Sequence, residues 1–170
     1  HVADHQSFFN RVSLDLGETD PAISSLPINK RIEAAKTELN DPDLQELLFQ
    51  YGRYLLMGSS RPGTLPANLQ GLWNNSNNPP WHSDYHTDIN IQMNYWLAEP
   101  TNLSDCFEPF TNLMVEFIEP SRKVTSEHYG TKEGFTYRFS HNIYGGHGWN
   151  WNPAGSAWYC QHIWEHFAFT

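Results

Sequence analysis

Basic residues are scarce in this chain: 10 Lys and Arg stand against 19 Asp and Glu, for a formal net charge of −9. A surface of that sign repels polyanions, so nucleic acid and anionic membrane are poor partners for it. Cysteine is scarcer still. Cys106 and Cys160 make neither a disulfide framework nor a metal pair, and two buried free thiols are expected in preference to a bridge. No stretch approaches the ~18 apolar residues a membrane span requires. A signal-peptide pattern is missing too, although the chain opens on His1 and not on Met, which leaves a leader open. There is no G-x-S-x-G, and Cys160 and His162 have no assigned orienting partner, so nucleophilic hydrolysis finds little to work with. No internal repeat is visible.

What the chain has in quantity is rings. Aromatics make up 15% of it, seven of them Trp, and only 17% is charged, so a folded domain with a workable core is expected from its 170 residues. The pattern is of helices joined by long, ring-rich loops. A short helix is expected over residues 1–10, and alternating Val12, Leu14 and Leu16 predict a strand over Arg11–Gly17. Helices follow at Ile28–Leu39 and at Asp43–Met57, the latter with Leu44, Leu47, Leu48, Tyr51, Leu55 and Leu56 at helical spacing and Gly58 as its stop. Residues 59–84 are rich in Gly, Pro, Ser and Asn and read as a long functional loop. Further helices are expected at Asp105–Glu119 and Ala154–Phe167, with a loop-rich span over 120–152 between them.

Two segments carry the chemistry. Pro79–Pro100, PPWHSDYHTDINIQMNYWLAEP, sets His82, Asp84, His86, Asp88, Asn90, Gln92 and Asn94 among Trp81, Tyr85, Tyr95 and Trp96. HGWNWNPAG followed by SAWYCQHIWEH repeats the mixture near the end of the chain. A pyranose presents hydroxyls around its rim and C–H patches on its faces, so it is bound by amides and carboxylates beside flat rings. Ile89, Ile91, Met93 and Tyr95 alternate with polar residues, which taken alone reads as a strand, while His86 and Asn90 would also share one face of a helix. Trp73, Trp81, Trp149 and Trp151 are candidate platforms for sugar rings, about half of them expected to be loop anchors instead, since Trp is highly buried on average. Arg61 serves equally well as a sugar ligand or a loop tie. Asn74-Asn75-Ser76 and Asn102-Leu103-Ser104 match the very weak glycosylation sequon.

Two reactions fit these residues. His162-Ile163-Trp164-Glu165-His166 has the H-x-x-E-H form of inverted zinc peptidases, but nine His raise the rate of chance matches and the third ligand that motif needs is not in the sequence. Glycoside hydrolysis needs a protonated acid at the glycosidic oxygen and a base that activates water across the ring. Glu165 and the Asp88/Asn90 pair are the candidates for those roles.

The chain resembles an internal piece of the glycoside hydrolase family 95 enzymes, the inverting α-L-fucosidases acting on α-1,2 linkages. FNRVSLDLG at 9–17, LLFQYGRYLLMGSSRPGTLPANLQGLWN at 47–74, HTDINIQMNYWLAEPTNLSDC at 86–106 and GWNWNPAGSAWYCQHIWEHFAFT at 148–170 carry the resemblance. It implies a mainly α fold, with residues 1–27 as a linker segment and 28–170 as the N-terminal part of a truncated (α/α)6 barrel whose active-site loops are long and aromatic. It further implies hydrolysis without metal or cofactor, a fucosylated oligosaccharide or glycoconjugate as partner, and no activity in these 170 residues alone. By resemblance Glu165 stands at the general acid, Asn90 at the residue that positions the attacking water together with a later carboxylate, and His86 at a contact to the fucose hydroxyls. Asp88 occupies a position that is asparagine in the family pattern, so either it or Asn90 is the base; as a purely structural residue Asp88 would cap a helix. Trp81, Trp149 and Trp151 complete the expected sugar site. Binding of fucosylated glycans without cleavage is the alternative function, and L-galactose the alternative sugar.

Overall fold

The computed structural model describes all of residues 1–170 and is mainly helical, with one small antiparallel sheet. It divides into two compact units, His1–Leu55 and Leu56–Thr170.

The first unit holds α1 (Val2–Phe9), α2 (Pro21–Ser24), α3 (Ile28–Ala35) and most of α4 (Pro42–Ser59). α2 begins where its sequence directs: Asp20 accepts from the Ala22 N–H, and Pro21 fills the first position, where a missing N–H costs nothing. Arg53 is fully buried, and its guanidinium donates to the Phe8 and Phe9 carbonyls at 2.8 and 3.1 Å. Both carbonyls belong to the last turn of α1, whose end leaves carbonyls outside the helical ladder. Arg31 forks onto both oxygens of Asp41 at 2.8 and 2.6 Å, which is the main reason the Asp41 carboxyl is pulled down to about 2.

Arg11–Gly17 forms no strand. Alternating apolar residues need a neighbouring strand to pair with, and this segment has none. Side chains of α4 pin it instead: Gln50 donates to the Val12 carbonyl and Glu46 accepts from the Leu16 N–H.

The second unit contains the end of α4, the long loop, β1 (Tyr85–His86), α5 (Asn90–Trp96), α6 (Glu108–Tyr129), β2 (Arg138–His141), β3 (His147–Trp151) and α7 (Pro153–Phe169). Short 3-10 turns precede β1 at Pro80–Ser83 and α6 at Ser104–Phe107. The sheet runs β1-β2-β3, with Tyr85 opposite His141 and His86 opposite Ser140. Ser140 in turn faces Gly148, so β2 joins the segment bearing His86 to the one bearing Trp149.

Two expectations fail here for identifiable reasons. Residues 90–96 are helical, not extended: Ile91 and Tyr95 point inward four residues apart, whereas Ile89 and Met93, on the same face of any strand, are half-exposed. Helix α6 also runs through Pro120 to Tyr129, well past Glu119. The carbonyl deprived of its partner by Pro120 belongs to the exposed residue Glu116, on the solvent side of the helix, where losing that bond is cheap. Beyond Pro120 the buried stripe Phe110, Leu113, Met114, Phe117 continues through Ser121 and Thr125, and Gly130 closes the helix in the left-handed conformation. The expected loop at 120–152 is therefore half helix and hairpin.

The core centres on Phe110, which is fully buried, stacks on Tyr95 at 4.7 Å and meets Tyr159 edge-on at 5.0 Å. The Tyr95 hydroxyl accepts from the Ala67 N–H and pairs with Ser60 Oγ, itself a donor to the Cys106 carbonyl, which locks the long loop onto α5. Cys106 is buried and Cys160 exposed, and no disulfide joins them.

His141 is 2% exposed, stacked on Phe117 at 4.7 Å, and burial pushes its pKa down to about 4. The unfolded chain binds a proton near pH 6.5 that the native state refuses until about 4. Stability is thus fully present above about pH 6.5 and falls as pH drops toward 4, by about 3 kcal/mol on the order-of-magnitude relation of one pKa unit to 1.36 kcal/mol. Urea titrations at pH 7 and pH 4 should show that loss, and His141→Phe should flatten it; an unchanged slope would mean His141 is solvated.

Candidate active site

Neither conformation read from the sequence holds alone for the HTDIN segment. His86 ends β1, a turn takes up Thr87–Ile89, and Asn90 opens α5. His86 is buried against Trp149, with ring centroids 5.4 Å apart, and its Nε2 has no hydrogen-bond partner. Burial lowers its pKa, with Asp84 and Asp88 acting in the opposite direction. A neutral imidazole with one nitrogen unused can give or take one hydrogen bond from a ligand. Asp84 is already engaged by Ser140 Oγ at 2.8 Å. Asp88 and Asn90 are both exposed, and Asp88 does not cap α5, because Ile89 holds that position and no side chain closes it. Both polar groups are therefore open to a ligand.

The four loop tryptophans differ in their surroundings. Trp81 is 62% exposed and Trp149 55%, and both sit at positive φ, 49° and 65°. Ser83 and His82 share that backbone region with Trp81. For bulky residues this is a strained conformation that clusters at binding sites. Trp151 is an anchor instead: the Arg138 guanidinium lies 5.2 Å over its ring, and His128 and Tyr129 pack on it at 4.9 and 5.2 Å. The platform expected at Trp151 is already occupied by protein. Trp73, 48% exposed, rests one part of its ring on Gly58 and Gly71, where a Cβ at Gly71 would meet it at 2.8 Å.

Glu165 lies on α7. The amino end of α7 meets the HTDIN turn, where Asn152 Nδ2 donates to the Thr87 carbonyl at 3.0 Å. Near the other end His166 is 2.6 Å from Glu99, beyond the end of α5, and Trp96 meets Trp158 and His162 edge-on. The two helices thus run side by side in the same direction, and from Gly155 to Glu165 the rise is about 15 Å. Asn90 accompanies the start of α7 and Glu165 its penultimate turn. Glu165 adjoins buried His162, whose pKa is lowered by burial and raised by the Glu165 charge. The two imidazoles of the H-x-x-E-H match also part company: His162 points among Trp96 and Phe110, and His166 stacks on Phe107 while facing Glu99. No three His, Cys, Asp or Glu side chains converge as a metal-binding group.

Sequence reading passed over Thr87, Asn152 and Ser140, the residues that hold the site together. Only Asn152 left a signal, as an asparagine before a proline at a helix start.

This segment and its neighbour thus present an unused buried imidazole, two outward indoles, and an exposed carboxylate and amide. The chain belongs to the glycosyl hydrolase family 95, whose catalytic domain matches residues 1–170. It is 42% identical over its whole length to Alpha-L-fucosidase 2 of Arabidopsis thaliana, and 40% identical, again over its whole length, to the "Probable alpha-fucosidase A" of Aspergillus niger. It covers 21% and 22% of those proteins, so it spans about a fifth of the length of the curated relatives it matches. The homologous protein of Aspergillus oryzae is 38% identical over 88% of this chain and is covered to 19%.

Proposed function

We propose that a full-length protein carrying this segment is an α-L-fucosidase that removes terminal α-1,2-linked L-fucose with inversion, and that His86, Asp88 and Asn90, with Trp81 and Trp149, form the sugar side of its site. Residues 28–170 then supply the first part of an (α/α)6 barrel and residues 1–27 the linker before it. The observation carrying this reading is the buried, unpartnered Nε2 of His86 beside Trp149, because an orphaned buried polar atom is costly unless a ligand completes it.

Asn90, a neutral amide, is a feeble base, and works by orienting a water whose proton goes to a carboxylate. Asp88, two residues away and exposed, is one such group. Glu165, on α7, is the residue proposed to protonate the leaving oxygen.

Proton NMR of the first sugar released from an α-1,2-fucosylated oligosaccharide tests the mechanism: β-fucose is expected, and α-fucose overturns it. Glycan binding without release would indicate a lectin. Glu165→Gln decides the acid. A loss of about 100-fold or more on the natural substrate, spared with a nitrophenyl fucoside, is expected; equal losses on both would remove Glu165 as the acid.

A further inference from the structure

Thr87 is fully buried between His86 and Asp88, and three elements hold every one of its polar groups. Its N–H donates to the Phe139 carbonyl at 2.9 Å and its hydroxyl to the Arg138 carbonyl at 2.7 Å, both on β2. Its own carbonyl accepts from Gln92 Nε2 at 2.8 Å and from Asn152 Nδ2 at 3.0 Å. The same Asn152 side chain turns its oxygen to the Gly155 N–H at 3.2 Å and caps α7. One amide therefore faces both ways: its oxygen starts a helix, and its nitrogen fixes the turn that presents Asp88 and Asn90. Gly155 is where α7 comes closest, because a Cβ there would lie 2.7 Å from Asn152 Nδ2 and 2.8 Å from the Thr87 carbonyl oxygen.

We infer that Asn152 is a positioning residue for the reaction, acting through the Thr87 carbonyl to set the HTDIN turn against the Trp149 segment. The inference rests on the fucosidase reading above. It follows from the placement of Thr87, since a shift of its carbonyl moves His86 on one side and Asp88 and Asn90 on the other. Gln92 braces the same oxygen from within α5, and its Oε1 has no hydrogen-bond partner, so its donor alone is engaged.

The two functions of Asn152 separate by substitution in the full-length protein. Asn152→Ser and Asn152→Asp both keep an acceptor for the cap, but neither restores the amide donor to Thr87. Both are expected to melt within a few degrees of the parent yet lose about 10- to 100-fold in kcat, as a displacement of about 1 Å costs near a reacting centre. KM should change far less than kcat. Gly155→Ala, which pushes on the same carbonyl, should reproduce that split. Gln92→Glu adds a pH signature: only its protonated carboxyl donates, so its kcat relative to the parent should recover as pH falls. Parent-like kcat in Asn152→Ser, or losses that merely follow a lowered melting temperature, would overturn the inference. Absence of fucose release by the parent itself would instead overturn the fucosidase reading.

Discussion

Asn90→Ala in a full-length protein carrying this segment is expected to cut kcat on an α-1,2-fucosylated oligosaccharide by about 100- to 10,000-fold, the range over which positioned proton transfer acts. The side chain stands at the first position of α5, exposed, and makes no contact that holds the fold. Its removal should therefore leave the melting temperature close to the parent's, which distinguishes it from a core residue. Asp88 resolves which group takes the proton. If Asp88 is the base, Asp88→Asn brings an equal loss and removes the acidic limb of the pH–rate profile. If the base lies elsewhere, Asp88→Asn restores the family's residue and keeps most activity. Full activity in Asn90→Ala would remove this turn from the mechanism.

Phe110→Ala should produce the largest loss of stability, about 3–5 kcal/mol by the measured range for buried aromatic truncations. Phe110 contacts Tyr95, Phe107, Tyr159 and His162, so the cavity opens where α5, α6 and α7 meet. Calorimetry or urea denaturation of the full-length protein measures it. A loss below about 1 kcal/mol would mean that the neighbouring rings collapse into the space.

The helical segments were legible because their apolar spacing is set locally: the helices expected at 43–57 and 154–167 appear as Pro42–Ser59 and Pro153–Phe169. The failures all depended on partners distant in sequence. Val12, Leu14 and Leu16 alternate without a sheet to join, and Pro120 ends no helix because the stripe beneath it continues to be buried. The hairpin of β2 and β3 is built from RFSH and HGWNW, neither of which alternates cleanly. At the site, His86 and Trp149 were visible as residue types and the structure brings them together. Trp151 had the same signature and a different fate, because Arg138, which covers its ring, is thirteen residues away and nothing in its spacing announces the contact. A motif specifies the residue, whereas the reach of a side chain depends on which end of a helix meets which neighbour.

The two units hold their cations in opposite ways. In His1–Leu55 the buried cation is Arg53, whose guanidinium keeps its charge at any physiological pH, and the Arg31–Asp41 pair survives until the medium approaches the carboxyl's pKa of about 2. In Leu56–Thr170 the buried basic groups are imidazoles, His86, His141 and His162, all kept neutral by burial. Mild acid therefore loosens the second unit while leaving the ties of the first intact. In an acidifying medium the Leu56–Thr170 unit should therefore unfold before His1–Leu55, and the first loss of helix signal should come from α5, α6 and α7.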